Sequence, residues 1–147
     1  MPSQDIEGSF PGLATGGYRL TSPVSADYNC AAWAAGEMHR WWDSSAEGGY
    51  YWPPGVPTVM SLANLIAAFA SLGFQRCPDG HAEPGFEKLA LYADVHGWPT
   101  HVARQIPSGV WTSKLGAAED IEHATLEGLE GELYGKVVQY LRRRVSQ

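Results

Sequence analysis

Cysteine and charge are both scarce in this sequence. Two cysteines, Cys30 and Cys77, in 147 residues are too few for the disulfide framework of a small secreted domain, and both are expected to stay reduced. Ten Lys and Arg stand against 16 Asp and Glu, for a net charge of -6. A nucleic-acid partner needs clustered cations, so that class is set aside. The one basic run, Arg142-Arg143-Arg144, is expected to complement a helix end. No apolar stretch approaches the roughly 20 residues that span a bilayer, so no membrane partner is expected. The segment Met1–Glu7 carries neither the basic nor the apolar region of a signal peptide, and the expected compartment is the cytoplasm.

Apolar material is plentiful. Hydrophobic residues make up 44% and charged residues 18%, a balance that supports a packed core and excludes a disordered chain. With no repeat or low-complexity tract in sight, residues 1–147 read as a single domain. Six Trp and seven Tyr exceed what a core of this size needs and suggest an aromatic-lined cleft.

Residues 1–26 are rich in Gly, Pro and Ser and read as an irregular lead-in anchored by Tyr18 and Leu20. A helix is predicted to begin near Cys30, capped by Asp27 or Asn29 and continuing through Trp33, Ala34, Glu37, Met38 and Trp41. A loop studded with Tyr50, Tyr51 and Trp52 follows. The second helix has Thr58 as its cap, Leu62, Leu65, Ile66, Phe69 and Leu72 on one face and Gly73 as its stop. Residues 77–85 are turn-forming. Residues 88–93, 100–106 and 110–115 then read as a three-stranded antiparallel meander. Leu133, Val137, Val138 and Leu141 return to helical spacing and predict a C-terminal helix over about 132–144. The order is that of an α+β domain.

Cys30 holds the position of chemical interest. A thiol at a helix N-terminus faces unpaired amides and the positive dipole end, which lower its pKa. A thiolate nucleophile also needs a base, and His101, on the middle strand of the meander, supplies an imidazole on a rigid support. The third member depends on register. A two-residue Ser108-Gly109 turn would put Thr112 and Lys114 on the face of His101, whereas a one-residue shift would bring in Ser113. Of these, Ser113 is the choice, because its hydroxyl can accept the imidazole N–H and fix the tautomer. Asp120, Glu122 and His123 remain alternative orienters if the chain folds back.

Tyr28-Asn29-Cys30-Ala31-Ala32-Trp33-Ala34, then Thr100-His101-Val102-Ala103, then Trp111-Thr112-Ser113-Lys114-Leu115-Gly116, resemble the papain-like thiol hydrolase superfamily in kind and order. The His-Val strand start is similar to the NlpC-type peptidases. The helix and the Trp-Thr-Ser-Lys-Leu-Gly strand are similar to a small bacterial domain family. The resemblance implies a papain-like α+β fold with Cys30 attacking an acyl carbon, His101 as base and then acid, and no cofactor. It departs from papain where Leu115 replaces the expected asparagine and where no glutamine precedes the cysteine. Oxyanion donors then fall to the Cys30 amide with Asn29 or Tyr18. Trp33, Tyr51, Trp52 and Trp111 are candidates for a groove that holds a peptide or small acyl substrate.

Plainer readings stand beside these. Cys30 and His101 can both be core residues, and Cys77 reads as structural. A zinc site built from Cys77-x-x-x-His81 and His96-x-x-x-x-His101 matches no common paired-ligand spacing, so no metal is expected. Arg104 reads as a surface ion pair. The expectation is a cysteine-dependent hydrolase or acyltransferase. Its alternative is a non-enzymatic binding or immunity-type module with a structural Cys30.

Overall fold

In a computed structural model, the described residues are 17–22, 34, 53, 55–56, 61–106, 108–114, 120–123, 125–126, 129–131 and 134–145. They build one seven-stranded sheet in which every neighbouring pair is antiparallel. In chain order the elements are β1 (Tyr18–Ser22), α1 (Leu62–Ala70), β2 (Gln75–Cys77), β3 (Phe86–Ala93), β4 (Pro99–Gln105), β5 (Trp111–Lys114), β6 (Asp120–His123) and β7 (Lys136–Arg144). Across the sheet they run β1-β6-β5-β4-β3-β7-β2.

This β-rich architecture overturns the expected papain-like α+β fold with three helices. Of the first predicted helix only Ala34 is described; it is helical and fully buried. The second helix stands as α1, but Ser61 is its cap, with its side chain accepting from the Asn64 amide at 3.1 Å. Gly73, at φ 96, ends the following turn. The predicted C-terminal helix is a strand, β7, seated between β3 and β2.

Val137, Val138 and Leu141 do fit a helical stripe. They equally fit a β-branched strand, and the partners decide. Leu141 pairs with Leu89 and Tyr140 with Ala90. The three arginines are held by tertiary contacts instead of a helix dipole. Arg142 makes a bidentate pair with Glu83 at 2.9 and 2.7 Å, Arg143 pairs with Glu87, and Arg144 lies over the Phe86 ring. Gly135 prepares the strand: at φ 75 its backbone lies so close to β3 that a Cβ would sit 2.0 Å from the Ala93 carbonyl oxygen. Part of the supposed lead-in is β1, an edge strand paired to β6.

Strand alternation separates two cores. Leu65, Ala68 and Phe69 of α1 pack with Ala34, Phe74, Leu89, Leu91, Val102 and Leu141 on one face. Each fully buried large side chain of this kind contributes about 1.5–3 kcal/mol. The opposite face gathers Ala90, Tyr92, Ala103, Trp111 and Ile121, covered by Leu126 and Leu129. His101 belongs to this second face.

Candidate functional site

The β4–β5 connection sets the register that builds the site. The Ile106 amide donates to the Val110 carbonyl at 3.0 Å and the Gly109 amide to the Ile106 carbonyl at 2.9 Å. Ile106 therefore faces Val110, one residue away from the register of a two-residue Ser108-Gly109 turn. Arg104 then pairs with Thr112 and Gln105 with Trp111. The one-residue difference puts Thr112 on the face of Val102 and Arg104, where its hydroxyl donates to the Arg104 carbonyl at 2.8 Å. Ser113 lands on the face of His101.

The Ser113 Oγ lies 2.9 Å from His101 Nε2 and 2.8 Å from His123 Nε2. His123 arrives on β6, where Ser113 pairs with Ile121 and Trp111 with His123. Its Nδ1 lies 2.9 Å from the Thr125 carbonyl oxygen. All three side chains are buried: His101 is 2% exposed, His123 1% and Ser113 0%. The His101 Nδ1 is buried and has no hydrogen-bond partner among the described residues.

Aromatic rings enclose the imidazole. Tyr134 stacks on His101 with ring centroids 4.2 Å apart and planes 4° from parallel. Tyr92, the cross-strand partner of His101, tilts against it at 5.4 Å. The Tyr92 hydroxyl donates to the Leu126 carbonyl at 2.7 Å, and the Thr100 hydroxyl donates to the Tyr134 carbonyl. These bonds hold Leu126 and Tyr134 beside the site. Burial pushes the His101 imidazole well below its ordinary basicity, and the His123 charge pushes the same way. Burial also lowers His123, while the bond to Thr125 raises it in part. Both rings are therefore neutral at pH 7.

Among the expected site residues, His101 and Ser113 meet. Tyr18 joins them as the cross-strand partner of His123. Trp111 is 6% exposed, and a Cβ on Gly80 would sit 2.8 Å from its ring. That ring packs into the second core. Cys30, Asn29, Trp33, Tyr51 and Trp52 lie outside the described residues. Glu122 is on the opposite face of β6 from His123.

Cys77 is buried, its Sγ donates to the Asp79 carbonyl at 3.4 Å, and burial raises its pKa. Beside it Lys88, only 3% exposed, pairs with Asp79 at 3.1 Å and Glu83 at 3.4 Å. Arg104 pairs with Glu87 at 3.7 Å. Among the described residues no group of three or more His, Cys, Asp or Glu could hold a metal ion, and no helix is long and apolar enough to cross a membrane.

The sequence pattern does not signal Tyr92 and Tyr134 as neighbours of His101, nor Thr125 as the partner of His123. Tyr134-Gly135 was the nearest signal, a ring beside a residue free to take positive φ, but it falls inside the stretch read as helix.

A family model described as Domain of unknown function (DUF7689) matches residues 19–142. No curated protein and no solved structure gives a match.

Proposed function

The chain belongs to the DUF7689 family, whose description assigns no activity, and from the site's geometry we propose a cysteine-dependent hydrolase or acyltransferase with Cys30 as nucleophile and His101 as its base. One observation carries the reading. Among the described residues the buried His101 Nδ1 has no hydrogen-bond partner, while its Nε2 is already engaged by Ser113. An unsatisfied buried polar atom costs about 1–3 kcal/mol, and such costs are retained where the atom has chemical work.

The chemistry follows from that nitrogen. The Cys30 S–H proton passes to His101 Nδ1, and the thiolate adds to the carbonyl carbon of an amide, ester or thioester. The C–S bond forms, and the leaving group departs with the proton returned by Nδ1. Water or an amine then gives its proton to Nδ1 and attacks the thioester. The acyl group leaves on the acceptor, and the thiol regains its proton. During each transfer the imidazolium would donate from Nε2 to Ser113. Tyr18, across from His123, is the oxyanion donor favoured on β1. A peptide or small acyl compound is the substrate class, and a reducing compartment such as the cytoplasm suits a free thiol. Ala34 belongs to the core on the α1 face, opposite to His101.

A second reading draws on exposed apolar surface. Val95 is 94% exposed, Trp98 54% and Val138 48%, a surface suited to a partner protein. Here the buried imidazoles serve packing alone, and the chain is a binding module.

Iodoacetamide separates the two. The first reading expects Cys30 to be alkylated at least about tenfold faster than Cys77 near pH 7, because a paired thiol is largely thiolate. It also expects His101→Ala to abolish the difference, and an acyl-thioester panel to yield an acylated Cys30. Equal slow labelling of both thiols overturns it in favour of the binding module.

A further inference from the structure

We infer that His123 is a positioning residue that sets the tautomer of His101 through the Ser113 hydroxyl, leaving His101 Nδ1 as the lone-pair nitrogen. The argument starts at the far end of the chain of bonds. A carbonyl oxygen only accepts, so the 2.9 Å contact between His123 Nδ1 and the Thr125 carbonyl requires a proton on that nitrogen. In a neutral ring the His123 Nε2 is then an acceptor. It faces the Ser113 Oγ at 2.8 Å, so the hydroxyl proton points to His123. A hydroxyl has one proton. With that proton committed, the Oγ can only accept from His101 Nε2 at 2.9 Å. His101 therefore carries its proton on Nε2, and Nδ1 is bare. The buried Nδ1 has no hydrogen-bond partner among the described residues, so no contact there opposes this assignment.

Every link runs in one direction because its origin is main chain, which cannot change role. Burial strengthens the ordering: His101, Ser113 and His123 are 2%, 0% and 1% exposed, and hydrogen bonds between such buried groups reinforce one another. The usual way to orient a catalytic imidazole is a carboxylate or amide in direct contact. Here the same task falls to a second imidazole acting through a hydroxyl.

What this tautomer does for a thiol rests on the proposed function, but the tautomer can be read without it. Nitrogen-15 NMR of histidine-labelled protein distinguishes protonated from bare ring nitrogens. The expected spectrum of the unmodified protein has His101 protonated on Nε2 and bare on Nδ1, with His123 the reverse. His123→Gln retains an amide near the position of Nε2 and should keep the His101 pattern. His123→Leu frees the Ser113 proton and should mix the His101 tautomers. Alkylation of Cys30 should then slow by about tenfold or more, with its pH profile displaced, and recover in His123→Gln. If His123→Leu does not fold, the unmodified protein and His123→Gln still decide. A His101 protonated on Nδ1 in the unmodified protein overturns the inference, as does an unchanged His101 tautomer in a folded His123→Leu. Slow, equal alkylation of the two thiols alongside the expected spectrum would overturn the thiol reading and leave the tautomer assignment standing.

Discussion

The Tyr134 ring lies flat on the imidazole of His101, 4.2 Å away and within 4° of parallel. The ring arrives from a segment far along the chain and seals a histidine that is 2% exposed. Access to the imidazole therefore depends on how Tyr134 and Leu126 are held, by the Thr100 bond to Tyr134 and the Tyr92 bond to Leu126. Several measurable consequences come from this enclosure and from the sheet beneath it.

Removing the Tyr134 ring should expose the His101 imidazole. Diethyl pyrocarbonate is expected to modify the exposed His81 and His96 quickly in the unmodified protein and to leave His101 and His123 nearly untouched. In Tyr134→Ala, His101 should become modified several-fold faster, as read by peptide mass mapping. An unchanged rate would mean that other groups seal the ring.

Removing the bridge should cost stability. Ser113→Ala leaves the Nε2 atoms of His101 and His123 facing an inert methyl group, and a buried unsatisfied polar atom costs about 1–3 kcal/mol. Urea unfolding should show a loss in that range. Thr112→Ala removes a hydroxyl bonded to the Arg104 carbonyl on the other face and should cost about 1 kcal/mol.

Acid should destabilise the fold in two stages. His101 and His123 are held below the ordinary imidazole value of 6.5, so below that pH the unfolded chain binds protons that the folded chain refuses. Stability is then lost as pH falls from about 6.5 toward the folded values. Asp79 and Glu83 are lowered by their bonds to Lys88 and Arg142, from ordinary values of 3.8 and 4.5. Their contribution is present above those values and disappears as pH falls through the depressed ones. Thermal denaturation at a series of pH values should show the first stage reduced in His123→Gln.

Two glycines of similar φ should respond differently to alanine. Gly135, at φ 75, faces the Ala93 carbonyl at a distance no Cβ can share, whereas Gly97, at φ 80, has open space around it. Gly97→Ala should cost about 1–2 kcal/mol, the ordinary strain of a left-handed alanine. Gly135→Ala should cost clearly more, because β7 must also move off β3. Melting temperatures of the two variants compare them directly.

Several of these features could be read from the amino acids alone. Leu65 and Phe69 on one stripe predict α1 because a 3.6-residue period has no other use for them. The turns at Gly97 and Gly109 predict the β3-β4-β5 order, and Ser113 recommends itself beside His101 by its chemistry. Residues 136–144 could not be read this way, since Val137, Val138 and Leu141 satisfy a helix and a strand alike. The choice came from Leu89, Ala90, Glu83 and Glu87, residues distant in sequence that supply the partners.

Local pattern thus determined which residues could be helix, turn or strand and which side chains had useful chemistry. Tertiary structure decided the rest: that residues 136–144 form a strand between β3 and β2, that the β4–β5 register turns Ser113 inward, and that His123 and Tyr134 close around His101. The physical reason is the range of the forces involved. Periodicity and capping act within a few residues, while strand register and a buried hydrogen-bond chain exist only once distant segments have paired.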